Sequence, residues 1–233
     1  ELTIAQANAG KGGGDDGSSS LVDGSRRSKS DQRFEVVGCC DELNAVLGIV
    51  VMEINRLPAH EDGGRSKAIQ RVQLVVSSAL NRVQSELFDL GGELACDPQK
   101  LPQNMVLIGQ HQSDVLVGEM DEWLLDLEPL SSFILPTGDG PIAVLHLART
   151  VARRLERAMV RLNDAEGENA VRNTTLVYIN RFSDWLFVMG RWVSKILVNE
   201  ETLWQPLGKR GAESGVSEML QKMRQNDSHF DDI

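Results

Sequence analysis

The segment HLARTVARRLERAMVRL, residues 146–162, contains neither Gly nor Pro and repeats its apolar residues at helical spacing. Val151, Leu155, Ala158 and Leu162 fall on one side of a helix. Arg149, Arg153 and Arg157 stand at i, i+4 and i+8, which stacks them on another face, with Arg154 and Glu156 beside them. Like charges at this spacing repel, so the stripe needs anions. Carboxylates from a neighbouring helix would serve, as on an ordinary solvated basic face. A polyphosphate gripped by planar guanidinium forks would serve equally. The segment predicts an amphipathic helix and leaves both readings open.

Outward from this helix, predicted over about Ile142–Leu162, the same period recurs in four further stretches. A fifth helix is expected over about Val171–Val198, with YINRFSDWLFVMGRW (178–192) at its centre. Asn180 and Asp184 lie one turn apart within that apolar run, next to Arg181, and are expected either to line a site or to form a buried network. The earlier helices are expected over about Phe34–Asn55, Ser66–Leu94 and Gln110–Leu127, separated by Pro58, Gly63-Gly64, Pro98 and Pro102. The loop SSFILPTGDGP (131–141) precedes the Arg helix. Five helices, short connections and no β-patterned stretch predict an all-α, five-helix antiparallel bundle that buries faces against copies of itself. The expected divisions are a Gly/Ser-rich segment at 1–33, the bundle at 34–199 and a polar tail at 200–233, with Leu203 and Trp204 its apolar exceptions.

A chain of 233 residues with 41% hydrophobic content can bury one sizeable core. The formal charge of -10, from 24 Lys+Arg against 34 Asp+Glu, argues against non-specific binding to nucleic acid or anionic membrane. The longest apolar runs, such as Ala45–Met52, are far too short to span a bilayer. Cys39, Cys40 and Cys96 make neither a disulfide framework nor a zinc pattern, which favours a reducing, intracellular compartment. His60, His111, His146 and His229 show no metal-ligand spacing, and no Glu-x-x-His occurs. The chain begins at Glu1 rather than Met, so it is expected to be processed or truncated. The stretch GKGGGDDGSSS (10–20) has the composition of a phosphate cradle but not the spacing of a Walker motif.

Six blocks together resemble the PduO-type ATP:cob(I)alamin adenosyltransferases: GDDGSSSLVDGSRRSKSD, FEVVGCCDELNAVLG, DLGGELA, FILPTGDGP, HLARTVARRLER and YINRFSDWLFVMGRW, in that order between Gly14 and Trp192. The resemblance, which extends to about Trp204, implies a homotrimer with active sites between subunits. It implies transfer of the 5′-deoxyadenosyl group of ATP to the cobalt of cob(I)alamin, with release of triphosphate and with magnesium assisting ATP binding. By position, Arg153 and Arg157 would hold the triphosphate, supported by Arg154, with Lys29 approaching it and Glu156 helping to place magnesium. Asn180 would contact the nucleotide, and Lys11, Gly14, Asp15, Gly17 and Ser19 would form the ATP loop. Asp41 would pair with Arg149 of the neighbouring subunit, and Phe133 would fill the space beneath the corrin ring, displacing the lower ligand of cobalamin.

One departure stands out. The family's Thr-x-Thr-Gly-Asp opening aligns with Lys11, Gly12, Gly13, Gly14 and Asp15, so both hydroxyls are absent. A non-catalytic corrinoid carrier or chaperone on the same bundle is therefore a second reading, and a structural oligomer with a charge-paired basic helix a third. The resemblance further implies a reductase and an adenosylcobalamin-dependent acceptor enzyme as partners. The compartment would be the mitochondrial matrix in a eukaryote and the cytoplasm otherwise.

Overall fold

A computed structural model describes residues 13–58, 64–209 and 216–226. Five long helices make up most of the larger of two compact units, which comprises the chain up to Pro129 together with Pro136–Glu201. They are α1 (Gln32–Arg56), α2 (Gly64–Leu94), α3 (Gln110–Leu124), α4 (Gly140–Glu166) and α5 (Asn173–Ile196). Local chemistry starts and stops them. Asp31 caps α1 by accepting the Arg33 backbone N–H at 2.9 Å. Pro141 occupies the first turn of α4, and Gly167 ends it at φ +102°, a conformation costly for any other residue.

α1 packs on α2 and α4, α4 on α5, and α5 on α3 and more lightly on α2. Most neighbours are antiparallel. Asn44 and Gln84 exchange side-chain to backbone bonds of 3.1 and 3.2 Å across α1 and α2, while Gln73 reaches the Ile54 carbonyl nearer the other end. The exception to the expected antiparallel packing is α3 against α5. Arg172 bonds the Ile108 carbonyl, Trp185 Nε1 bonds Glu119 and Trp192 Nε1 bonds Asp126, so the two helices advance together. The reason is geometric. The contacts close a ring of four, α1–α2–α5–α4, in which every neighbour is antiparallel. α3 packs chiefly against α5, and in a chain that reverses direction at every connection the third and fifth helices run the same way.

The interior is densest along α5, where Tyr178, Phe182, Trp185 and Trp192 are all buried. Tyr178, Phe182 and Trp185 stack in series at 5.9 and 5.3 Å, and Trp123 of α3 lies 5.5 Å from Trp185. Each such side chain contributes about 1.5–3 kcal/mol by leaving water, so this column is a main adhesive between α3 and α5. No helix among the described residues is long and apolar enough to cross a membrane.

Three sequence expectations are corrected. Residues 18–28 form a short antiparallel pair, β1 (Ser18–Ser20) with β2 (Arg26–Ser28), instead of an irregular loop. The third helix stops at Leu124, short of Leu127. The polar tail carries a sixth helix, α6 (Val216–Asn226). α6 belongs to the smaller unit, which joins residues 130–135 to the chain from Thr202 onward.

Candidate functional site

The apolar face of α4 is buried through Leu145, Ala148, Ala152, Leu155, Met159 and Leu162, which leaves the arginine stripe outward. Arg153 and Arg157 are exposed and Arg149 is half-buried. Among the described residues no carboxylate pairs with any of the three. Arg154 behaves differently: its guanidinium pairs with Glu42 of α1. The acidic neighbour that an ordinary basic face requires is therefore present for Arg154 and lacking for the stripe.

Arg149 lies over the Phe187 ring at 5.9 Å, and its Nε is buried without a hydrogen-bond partner among the described residues. Burial, followed by the charge of Arg153, pushes its pKa down. His146, one turn earlier and 6.5 Å from Phe187, is buried. Burial first and the Arg149 charge second push its pKa down as well. Both shifts come first from burial, with a neighbouring arginine charge adding to each.

Asn180 of α5 donates to Glu156 of α4 at 2.9 Å, which brings two of the expected residues together at the edge of the stripe. Asp184 reaches Arg181 at 3.9 Å on the same exposed face of α5. Asp41 is exposed on α1 and makes no ion pair with Arg149 within the chain.

The loop ahead of α1 is more ordered than its composition suggests. Gly17 takes φ +77° and Gly24 φ +81°, each inside an Asp-Gly-Ser turn. Asp16 accepts the Ser18 backbone N–H and hydroxyl at 2.9 and 2.7 Å, and these bonds hold its carboxyl below the usual range. Asp23 treats Ser25 likewise and is lowered for the same reason. Lys29 crosses so close to Gly14 that a Cβ there would sit 3.1 Å from Nζ, so the glycine makes room for the lysine. Asp15 is exposed and Ser19 partly buried, while Lys11 lies outside the described residues, as do His60 and His229. Arg26 donates to the Gly13 carbonyl at 2.6 Å. Arg27 and the buried Arg33 both converge on Glu166 at the end of α4, Arg33 at 2.6 Å. This anchor ties the loop to the Arg helix, yet no hydrogen bond or ion pair joins residues 14–29 to Arg153, Arg157 or Asn180.

In the smaller unit Phe133 is 77% exposed. Its carbonyl accepts the Trp204 N–H at 2.7 Å, Leu135 N–H reaches the Thr202 carbonyl at 2.8 Å, and the Phe133 and Trp204 rings meet edge-on at 5.9 Å. Sequence reasoning missed Glu42 and Glu166, and marked Trp204 only as an apolar exception in the tail, without its contact to Phe133. The repeated Asp-Gly-Ser was the one local signal available for the turns. The three cysteines are buried thiols, and Cys40 is pushed up to about 12, chiefly by burial. No cluster of three or more metal-binding side chains occurs among the described residues.

A mostly helical chain with a row of guanidinium groups unpaired among the described residues, beside an Asn–Glu pair and a glycine-bent loop tethered to the same helix, has the chemistry to hold a polyphosphate. Comparison with known proteins gives the family. Residues 11–193 match the family described as cobalamin adenosyltransferase, and the chain belongs to it. A cobalamin adenosyltransferase of Cupriavidus metallidurans is 38% identical over 196 residues, spanning 82% of this chain and 91% of that one. A corrinoid adenosyltransferase of Mycobacterium bovis is 34% identical over 200 residues, spanning 85% and 93%. A variant PduO-type ATP:corrinoid adenosyltransferase from Lactobacillus reuteri, solved with cobalamin and ATP, superposes with a TM-score of 0.73 at 25% identity, covering 85% of this chain and all of that one.

Proposed function

We propose that this chain adenosylates cobalamin with ATP, and that the stripe of α4 is its triphosphate grip. The observation that carries the reading is the row Arg149, Arg153 and Arg157 without an acidic partner among the described residues, in a family of adenosyltransferases. Arg153 and Arg157 bind the triphosphate, with Arg154 in support and Lys29 closing from the loop. Asn180 meets the nucleoside. Magnesium typically takes one or two carboxylates and completes its shell with phosphate oxygens and water; Glu156 offers one such carboxylate between the arginines, and bound there the ion would neutralise phosphate charge.

The reaction makes few demands for protein acid or base. The electron pair of cobalt(I) forms the bond to C5′ as the C5′–oxygen bond breaks, and triphosphate leaves with that bonding pair. The protein contributes alignment and stabilisation of the leaving anion. The Arg stripe supplies the second. Phe133 presents an apolar ring to the lower face of the corrin and keeps a lower ligand away from cobalt. Replacing it with Ala should impair adenosylation from cob(II)alamin more than from pre-reduced cob(I)alamin. Equal losses from both would reduce Phe133 to packing.

The site is proposed to close between copies in a homotrimer of the five-helix domain at 34–199, with Asp41 of a second copy neutralising Arg149. The buried, unpartnered Nε of Arg149 supports that reading. A reductase would supply cob(I)alamin and an adenosylcobalamin-dependent enzyme would accept the product. The test is incubation with ATP and chemically reduced cobalamin, reading adenosylcobalamin by its absorbance and triphosphate by chromatography. No product above the enzyme-free control would overturn the assignment. Tight cobalamin binding without triphosphate release would favour the carrier reading raised by the hydroxyl-free 11–15 stretch.

A further inference from the structure

α2 and α3, which carry none of the arginine stripe, enclose a groove of about 700 Å³. Leu74, Val75 and Ala79 form one wall and Val115 and Trp123 the other. Its polar floor is already satisfied. Arg82 bonds Glu86 at 2.9 Å and Glu119 at 2.7 Å, Tyr178 donates to Glu86 at 2.7 Å, and Trp185 donates to Glu119 at 2.7 Å. Of the polar groups that line it, Ser78 and Glu122 have no bonded partner among the described residues, and Leu74 stands 73% exposed on the rim. A groove this open cannot enclose most of a small molecule, as a ligand pocket does.

Charge narrows the occupant. From Lys100 to Arg149 the chain has no other Lys or Arg but seven carboxylates, four of them on α3: Asp114, Glu119, Asp121 and Glu122. Arg82 is neutralised by its two glutamates. Glu119 is spent on Arg82, and Arg71 beside the α2 wall reaches Asp126 at 3.6 Å. The unpaired acid therefore lies on the α3 edge at Glu122, with Asp114 and Asp121 next to lining positions. An apolar groove with that edge repels an anionic bilayer and attracts Lys and Arg. Its walls run from Leu74 to Arg82 and from Val115 to Trp123, so each spans about 12 Å, two turns of helix. That length accepts side chains at i, i+3 or i+4, and i+7 of a docked helix.

We propose that the α2–α3 groove docks a basic amphipathic helix of a partner protein. The probe is a fluorescent Leu/Lys amphipathic peptide of about five helical turns, titrated into the full chain by anisotropy, with its Leu/Glu counterpart alongside. The Lys peptide binds and the Glu peptide does not. Leu74→Gln and Glu122→Lys, both at exposed positions, each weaken binding about tenfold while adenosylation stays unchanged. Equal binding of the two peptides, or an unaltered affinity in Leu74→Gln, would overturn the proposal. So would self-association of the free chain that Leu74→Gln abolishes in sedimentation, because the groove would then belong to a second copy.

Discussion

Arg153 and Arg154 are chemically identical neighbours with different fates, since Arg154 meets Glu42 and Arg153 meets no acid among the described residues. The repeat at i, i+4 and i+8 was legible because it is local. Which arginine would be neutralised was not, because Glu42 lies on α1, more than one hundred residues earlier. Arg153→Ala should remove a charge-assisted phosphate contact worth about 1.5–3 kcal/mol, weakening ATP binding roughly tenfold to a hundredfold; calorimetry showing unchanged affinity would refute its role. His146 gives a pH prediction with a defined sign. Its folded pKa is depressed, so the unfolded chain binds a proton more readily. Its stabilising contribution is complete above about pH 6.5 and is lost as pH falls through the lower folded value. Melting curves between neutral and mildly acid pH should therefore fall less steeply in His146→Gln than in the parent; parallel slopes would show that His146 does not titrate there.

Helices were legible where one face is buried against a neighbour, since burial imposes a 3.6-residue period on α1, α2, α4 and α5. β1 and β2 were not, because three-residue strands of Ser and Arg carry no apolar alternation. Their order comes from elsewhere, from Asp-Gly-Ser turns and from Glu166. That residue holds Arg27 of β2 and Arg33 of α1 at the end of α4, so a single carboxylate joins the loop to two helices. Glu166→Ala strands Arg33, whose side chain is only 1% exposed. Its carbonyl partners Leu94 and Cys96 soften the loss, so the cost should fall at the low end, about 3 kcal/mol. The same variant frees the Lys29 loop, and ATP affinity should fall even at temperatures where the helices stay folded. Circular dichroism melts and ATP titration on one sample separate the two effects; intact ATP binding would mean that the loop is positioned without its tether.

At the scale of the molecule, the outer faces of α1 and α4 carry exposed side chains among the described residues of the larger unit. Ile49, Met52, Leu147 and Val160 are 40–50% exposed there, alongside Asp41 and the arginine stripe. Apolar side chains on the same faces as uncompensated positive charge suit a surface completed by another copy carrying the opposite charge. No periodicity in one chain reveals which outward residues will face a copy, so the proposed contact between copies comes from the family resemblance alone. Charge reversal tests it. Asp41→Arg and Arg149→Asp should each shift the assembly from near three times 25.7 kDa toward the single chain, and each should lower adenosylation. Combining them restores opposite charges at the contact and should recover much of the mass and part of the activity. Recovery of mass alone would place the Asp41–Arg149 contact in assembly and leave the arginine to act on ATP directly. Single variants that keep both the mass and the rate would show that Arg149 finds its counter-charge in the bound triphosphate, and that the copies meet through another face.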